Sequence, residues 1–284
     1  VAEVELSAGP IEYTDTGGDG PVLVFLHGVT IDSTVWRKVV AALPPGYRVL
    51  LPTLPLGAHR KPMHADADLS LPAMANLVGE FLEALDLRDV TLILNDWGGA
   101  QLLISAGNDE RIGRLVLTSC EAFDNYPPGF PGRMPALAAR TPGMLLLTLH
   151  ALRTRFARRA PGAWGWMSKY PVPKEIMDGW FTPARTNKAV RRDLIKYGTS
   201  TPPKRALLDY AEKMRGFDRP VLVAWAAEDK LMPQEHADRL AELFGDARLV
   251  RIRDSYTLIP EDQPDALAEA IHAFVTKGTT QAST

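Results

Sequence analysis

Residues 90–106 limit what this chain can fold into more than any other stretch. The apolar run Val90 to Leu94 has the length and content of a buried strand, and Ala100 to Ala106 has helical spacing. Asn95-Asp96-Trp97-Gly98-Gly99 must make the turn between them. The two glycines let strand and helix approach closely. An acid at the apex of such a turn is held rigidly at a strand end. It also lies near the free amides of a helix N-terminus, which favour negative charge. The plainer role for Asp96 is an N-cap of the following helix.

The same alternation runs along most of the chain. Val4 to Leu6 and Ile11 to Thr14 read as a hairpin through Ala8-Gly9-Pro10. Pro21 to Leu26 reads as a strand buried on both faces, ending in His27-Gly28, and Tyr47 to Leu51 as the next strand. Asp32-Ser33 caps a helix over 34–43, and Pro72 suits the first turn of a helix over 71–87. A short strand is expected over 115–118. After Cys120 prolines crowd residues 127–135, and helical segments without strands follow to about Gly216. Strands resume at Val221 to Trp225 and Arg248 to Ile252, with helices over 234–244 and 266–275. This order predicts an α/β fold with a mostly parallel sheet flanked by helices and an inserted helical cap. The expected division is 1–120 with 217–276 as the core, 121–216 as the cap and 277–284 as a flexible tail.

Of the 284 residues 46% are hydrophobic, enough for a sizeable core. The single cysteine, Cys120, rules out an intramolecular disulfide framework. The acidic, alternating start does not resemble a signal peptide, and no uncharged apolar run reaches the roughly 18 residues of a membrane span. A cytoplasmic protein is expected. The net charge of −2 hides an asymmetry: residues 121–219 carry 18 basic and 8 acidic side chains, a balance of +10, against −12 elsewhere. The inserted block is therefore a separate unit with a basic surface, either a solvated face or a lid that attracts anions. No nucleic-acid-binding motif interleaves its basic residues.

With Asp96 at its apex, the turn resembles the nucleophile elbow of α/β-hydrolases, usually built on serine. Aspartate there resembles the haloalkane dehalogenase and epoxide hydrolase branch, in which the carboxylate attacks carbon and water cleaves the resulting ester. His27-Gly28-Val29-Thr30 resembles the family's oxyanion turn. The resemblance implies that the amides of Val29 and Trp97 stabilise developing negative charge. It puts His27 at the substrate-binding rim, with bracing of the loop as the plainer role for its ring. Trp97 beside the acid resembles a halide-contacting tryptophan. Leu94 departs from the small residue favoured two positions before the nucleophile, and Val29 stands where many dehalogenases carry asparagine.

The segment Trp225-Ala226-Ala227-Glu228-Asp229-Lys230 matches the place of the acid that orients a catalytic histidine. Asp229 is the first candidate for that acid and Glu121 the second. In the family's last motif, Asp254-Ser255-Tyr256-Thr257-Leu258-Ile259-Pro260-Glu261-Asp262-Gln263-Pro264, both flanks match and Thr257 fills the histidine position. Threonine cannot act as a general base near neutral pH. His59, His64 and His150 are the histidines that could substitute. The cap aromatics Trp164, Trp166 and Trp180 are expected to wall an apolar substrate pocket, with cap-to-core packing as the alternative.

These residues imply a hydrolase acting on an epoxide or alkyl halide through an aspartate nucleophile, with an atypical or impaired base. A non-hydrolytic cyclase, isomerase or lyase using Asp96 for acid/base catalysis is the second reading. A catalytically silent ligand-binding member of the fold is the third. The expected partners are a small apolar organic molecule and water, with no nucleic acid and no membrane. No metal-ligand spacing or phosphate-binding loop appears, so no cofactor is implied.

Overall fold

The computed structural model describes residues 1–99, 101–162 and 164–281. Its frame is an eight-stranded sheet of β1 (Ala2–Leu6), β2 (Gly9–Asp15), β3 (Val22–Leu26), β4 (Arg48–Pro52), β5 (Val90–Asp96), β6 (Ile112–Cys120), β7 (Val221–Ala226) and β8 (Ala247–Ile252). The spatial order is β1-β2-β4-β3-β5-β6-β7-β8. Pairings within β1, β2 and β4 are antiparallel, and β4 to β8 are parallel to their neighbours in the rest of the sheet.

The apolar strands bury both faces because successive side chains point to opposite sides. Val24, Leu26, Leu92, Leu94, Leu115 and Leu117 join one core layer. Leu23, Phe25, Ile93, Val116, Leu222 and Ala224 join the other. On the first face lie α2 (Leu71–Ala84), α3 (Gln101–Ser105) and α10 (Gln234–Leu243). On the second lie α1 (Arg37–Ala42) and α12 (Pro264–Gln281). The local signals work as written. Asp32 accepts from the Thr34 amide at 2.9 Å and starts the 3-10 turn leading into α1. Ser70 caps α2, with Pro72 in its first turn.

Among the described residues six α-helices lie between β6 and β7: α4 (Gly129–Arg140), α5 (Met144–Ala151), α6 (Arg155–Arg159), α7 (Lys174–Thr186), α8 (Lys188–Thr199) and α9 (Lys204–Lys213). The last of them is not part of a free-standing lid. Leu207 and Ala211 of α9 belong to the same core layer as Leu103 of α3. A single turn, α11 (Ile259–Asp262), precedes α12. The last helix runs on to Gln281, six residues past its expected end. A helix already nucleated propagates at little cost until a stop signal, so the expected tail from Lys277 is corrected over 277–281. Residues 282–284 lie outside the described residues.

The strand order reverses direction of growth at β3, with β4 on one side and β5 on the other. In open parallel sheets, ligands bind beyond the carboxyl ends of strands at such a switch point. Asp96 is the last residue of β5, beside the end of β3. The cap is strapped over this end by one buried carboxylate. Asp262 accepts from the Ser168 hydroxyl (2.8 Å) and from the amides of Lys169 (2.8 Å), Tyr170 (3.1 Å) and Tyr256 (3.0 Å). The Leu258 amide also donates to the Met167 carbonyl at 2.8 Å. Asp262→Ala leaves these donors unpaired. It is expected to cost about 3 kcal/mol of stability and to speed amide exchange at Lys169, Tyr170 and Tyr256. Unchanged exchange at those amides would show that the strap is held by other contacts.

Candidate active site

The elbow folds as the glycines demand. Asp96 has φ 64°, and the Trp97 amide donates to the Asn95 carbonyl at 2.7 Å, closing a tight three-residue turn around it. Such a turn costs on the order of 1–3 kcal/mol in a non-glycine residue, which the surrounding sheet must offset. A Cβ on Gly28 would sit 1.9 Å from Asp96 Oδ2, and one on Gly98 would sit 2.1 Å from the Glu121 carbonyl oxygen. Gly28 thus leaves room for the Asp96 side chain, and Gly98 for the backbone of Glu121. Leu94 fits without a small residue, because it is fully buried in register between Leu26 and Leu117.

The Asp96 carboxyl is 7% exposed. Burial drives its pKa up to about 7, with the negative charge of Asp229 adding to the rise and the Val29 amide opposing it. Glu121 lies close by, its carboxylate accepting from the Gly98 amide at 3.4 Å. Burial, then Asp96, push its pKa well above the usual carboxylate range. Asp229 Oδ1 accepts from the amides of Leu231 and Met232, both at 2.9 Å, and from the Thr257 hydroxyl at 2.8 Å. Its Oδ2 is buried and makes no hydrogen bond among the described residues, and burial raises its pKa. The Ser119 hydroxyl beside it opposes that rise but donates no bond of normal geometry to Oδ2. Three carboxyl groups thus surround the elbow, and none pairs with a lysine or arginine among the described residues.

Asn95 ties this arrangement together. Its amide nitrogen donates to the carbonyls of Thr118 (2.9 Å) and Thr257 (2.8 Å), joining the elbow to β6 and to the last loop. On the cap side, Trp97 Nε1 donates to the Tyr197 hydroxyl at 2.7 Å, and the Tyr197 ring meets Tyr126 edge-on at 6.4 Å between centroids. Beside the elbow is a cleft of about 30 Å³, room for one or two waters. Gly98, Glu121 and Tyr126 line it, and Asp96 does not.

A family described as alpha/beta hydrolase fold matches residues 21–264. The chain belongs to that family. Haloalkane dehalogenase 1 of Mycobacterium bovis is 30% identical over 88% of this chain and 82% of its own length. A cis-3-alkyl-4-alkyloxetan-2-one decarboxylase of Xanthomonas campestris is 27% identical over 93% of this chain and 92% of its own. The crystal structure of haloalkane dehalogenase DbeA from Bradyrhizobium elkani superposes with a TM-score of 0.79, covering 99% of both chains at 18% identity, a likeness of fold. These relatives place the chain in the haloalkane dehalogenase-like branch of the family.

Several residues of this α/β-hydrolase lie elsewhere than their sequence positions suggest. His27 is fully buried, its Nε2 accepts from the Leu54 amide at 2.8 Å, and its Nδ1 meets the Gly28 carbonyl at 2.9 Å, so both ring nitrogens are engaged by backbone. Burial lowers its pKa to about 4, so it stays neutral as a brace. The Trp97 amide is spent on the elbow turn and does not point to a free oxyanion site. Trp180 is fully buried and its Nε1 donates to Thr34 (2.9 Å) and Asp32 (3.1 Å). Trp164 packs on Trp180 and Phe181 at 5.8 and 5.0 Å between ring centroids. Trp180 thus pins α7 to the 3-10 turn leading into α1, and Trp164 packs on it, the arrangement expected of cap-to-core packing. Trp166 is half-buried against the core layer that holds Trp97.

No histidine bonds to Asp96 among the described residues. His59 is held by Asp193 at 3.2 Å, His64 by Glu5, His150 by its own helix and His272 by Tyr47. His236 packs edge-on against Phe123. The raised pKa of Asp96 sets a stability test. Between about pH 4 and pH 7 the folded chain keeps a proton that the unfolded chain has released, so this stabilisation is lost as pH rises. Asp96→Asn escapes the loss. Its advantage over the parent chain should grow by about 1.4 kcal/mol per pH unit over that window and level off above it. A constant difference across pH, in paired denaturant titrations, would show an ordinary carboxyl pKa.

Proposed function

We propose that Asp96 is the reacting group, and that its carboxylate attacks an electrophilic carbon of a small apolar substrate to form an enzyme-bound ester. The observation that carries this reading is the carboxyl group itself. It sits at a positive-φ strand end, faced by the Val29 amide and by no cation. With a pKa of about 7 it is ionised in about half the molecules at neutral pH, and it is a stronger nucleophile than an ordinary aspartate. Attack forms the C–O bond as the carbon–halogen or carbon–oxygen bond breaks, the electron pair leaving with the departing atom. The haloalkane dehalogenase relatives support a halogen-bearing carbon as the target.

Hydrolysis of that ester needs an activated water. Thr257 occupies the position next to Asp229 from which a base would act, and its hydroxyl already donates to Asp229. The second half-reaction is therefore slow, since a positioned base supplies about 10²–10⁴-fold. A second reading rests on that lack of a base. A half-ionised Asp96 with no histidine partner suits proton transfer in a reaction that consumes no water, such as an isomerisation in which the proton taken from one carbon is returned to another.

Incubation with a panel of haloalkanes and epoxides is expected to add one substrate-derived mass to the peptide carrying Asp96. The rate should rise about tenfold per unit below pH 7 and level off above, and Asp96→Asn should give no adduct. Thr257→His should raise ester cleavage by about 10²-fold or more, with heavy oxygen from water entering Asp96. Turnover with neither adduct nor label would replace nucleophilic attack by proton transfer. Binding without any reaction would overturn both.

A further inference from the structure

Between Asn125 and Lys174 the chain holds six arginines and two lysines and not one acidic residue. This run builds α4, α5 and α6. Some of its charges are neutralised: Arg158 and Lys174 pair with Asp178, and Lys169 pairs with Glu228 and Asp254. Arg133, Arg140, Arg153 and Arg155 are exposed and make no ion pair among the described residues. The same run carries exposed Leu137 (58%), Met144 (45%), Leu147 (65%) and Phe156 (86%). Outside it, Val1 and Leu208 are the only large exposed hydrophobics among the described residues. Helix α5 has apolar residues on both sides, with Leu145 and Leu149 buried inward and Met144 and Leu147 turned outward beside Thr148 and the exposed His150. A helix of that kind belongs in an apolar environment, and on this surface half of it faces water.

We propose that the α4–α6 face of the cap docks on an anionic lipid surface. Phe156, Leu147, Met144 and Leu137 would enter the boundary between headgroups and acyl chains, and the unpaired arginines would meet lipid phosphates. Basic side chains beside exposed large apolar ones are the composition that holds a helix in that boundary. Charge complementarity selects this occupant. A second copy of the same basic face would be repelled. A nucleic-acid backbone would satisfy the arginines and leave the leucines and Phe156 in water. The −12 balance of the remaining chain turns the body away from an anionic membrane and the +10 segment toward it. Among the described residues no helix is long and apolar enough to cross a membrane, so the contact lies on the surface. The inference does not depend on the reaction at Asp96.

The full chain is to be sedimented with phosphatidylcholine vesicles and with vesicles containing one quarter phosphatidylglycerol. Binding is expected to the anionic vesicles alone and to weaken steeply with salt. Replacing both Arg153 and Arg155 by glutamine should weaken it about tenfold or more. A polarity-sensitive dye on Phe156→Cys should shift to the blue with anionic vesicles, and the same dye on Asp246→Cys, at the opposite end of the sheet, should not. Because the dye reports from an otherwise unaltered cap, a folding defect in the arginine variant does not blunt the test. No binding, equal binding to uncharged vesicles, or a shift at both dye positions would overturn the proposal. So would a dimer in solution that the Leu147→Ser, Phe156→Ser double variant dissolves.

Discussion

The structure turns on one carboxyl group taken out of water with no cation to meet it. Asp96 is placed by backbone: a strand buried on both faces brings it to the switch point of the sheet, and a strained turn sets its side chain against Gly28. A Cβ on Gly28 would strike the Asp96 side chain, and one on Gly98 the Glu121 carbonyl. Desolvation then does the chemical tuning. A buried acid near Asp229 and Glu121 is held close to half-ionisation at neutral pH, where an exposed aspartate is fully charged. Its cost in stability is carried by the apolar layers on both faces of the sheet.

The cap completes this desolvation. Trp97 and Tyr197 join the elbow to α8, and Asp262 joins the segment Met167–Tyr170 to the loop that carries Thr257. Asn95 ties the same loop to the elbow. Movement of the cap therefore bears on the exposure of Asp96 and on the Asp229–Thr257 contact. Apolar packing holds the cap as well: Leu149 of α5, Trp180 of α7 and Leu194 of α8 share a core layer with Phe25 and Ile93 of the sheet, as Leu207 of α9 does with Leu103.

Much of this was legible before any coordinates. Strand and helix periodicity gave the parallel sheet and the position of the insertion, because apolar spacing is a local signal. The elbow was legible because glycine and an acid at a strand end have few other uses. What stayed hidden were partnerships across long stretches of chain. Trp180 reads as a pocket residue until its indole is found 146 residues away on Thr34. His27 reads as a rim residue until both ring nitrogens are found spent on backbone groups. Asn95 gave no signal, since its partners Thr118 and Thr257 are 23 and 162 positions distant. The partners of α9 are equally hidden, because helix spacing says which face is apolar and not which layer will cover it.

The ionisation of Asp96 can be read directly. Carbon-13 NMR of carboxyl-labelled aspartate, with Asp96→Asn to assign the signal, follows the side-chain shift against pH. The account predicts a midpoint near 7, the value its burial imposes. A midpoint near 4 would mean a solvated or cation-paired carboxylate, and the picture of a desolvated reacting group at the elbow would be wrong.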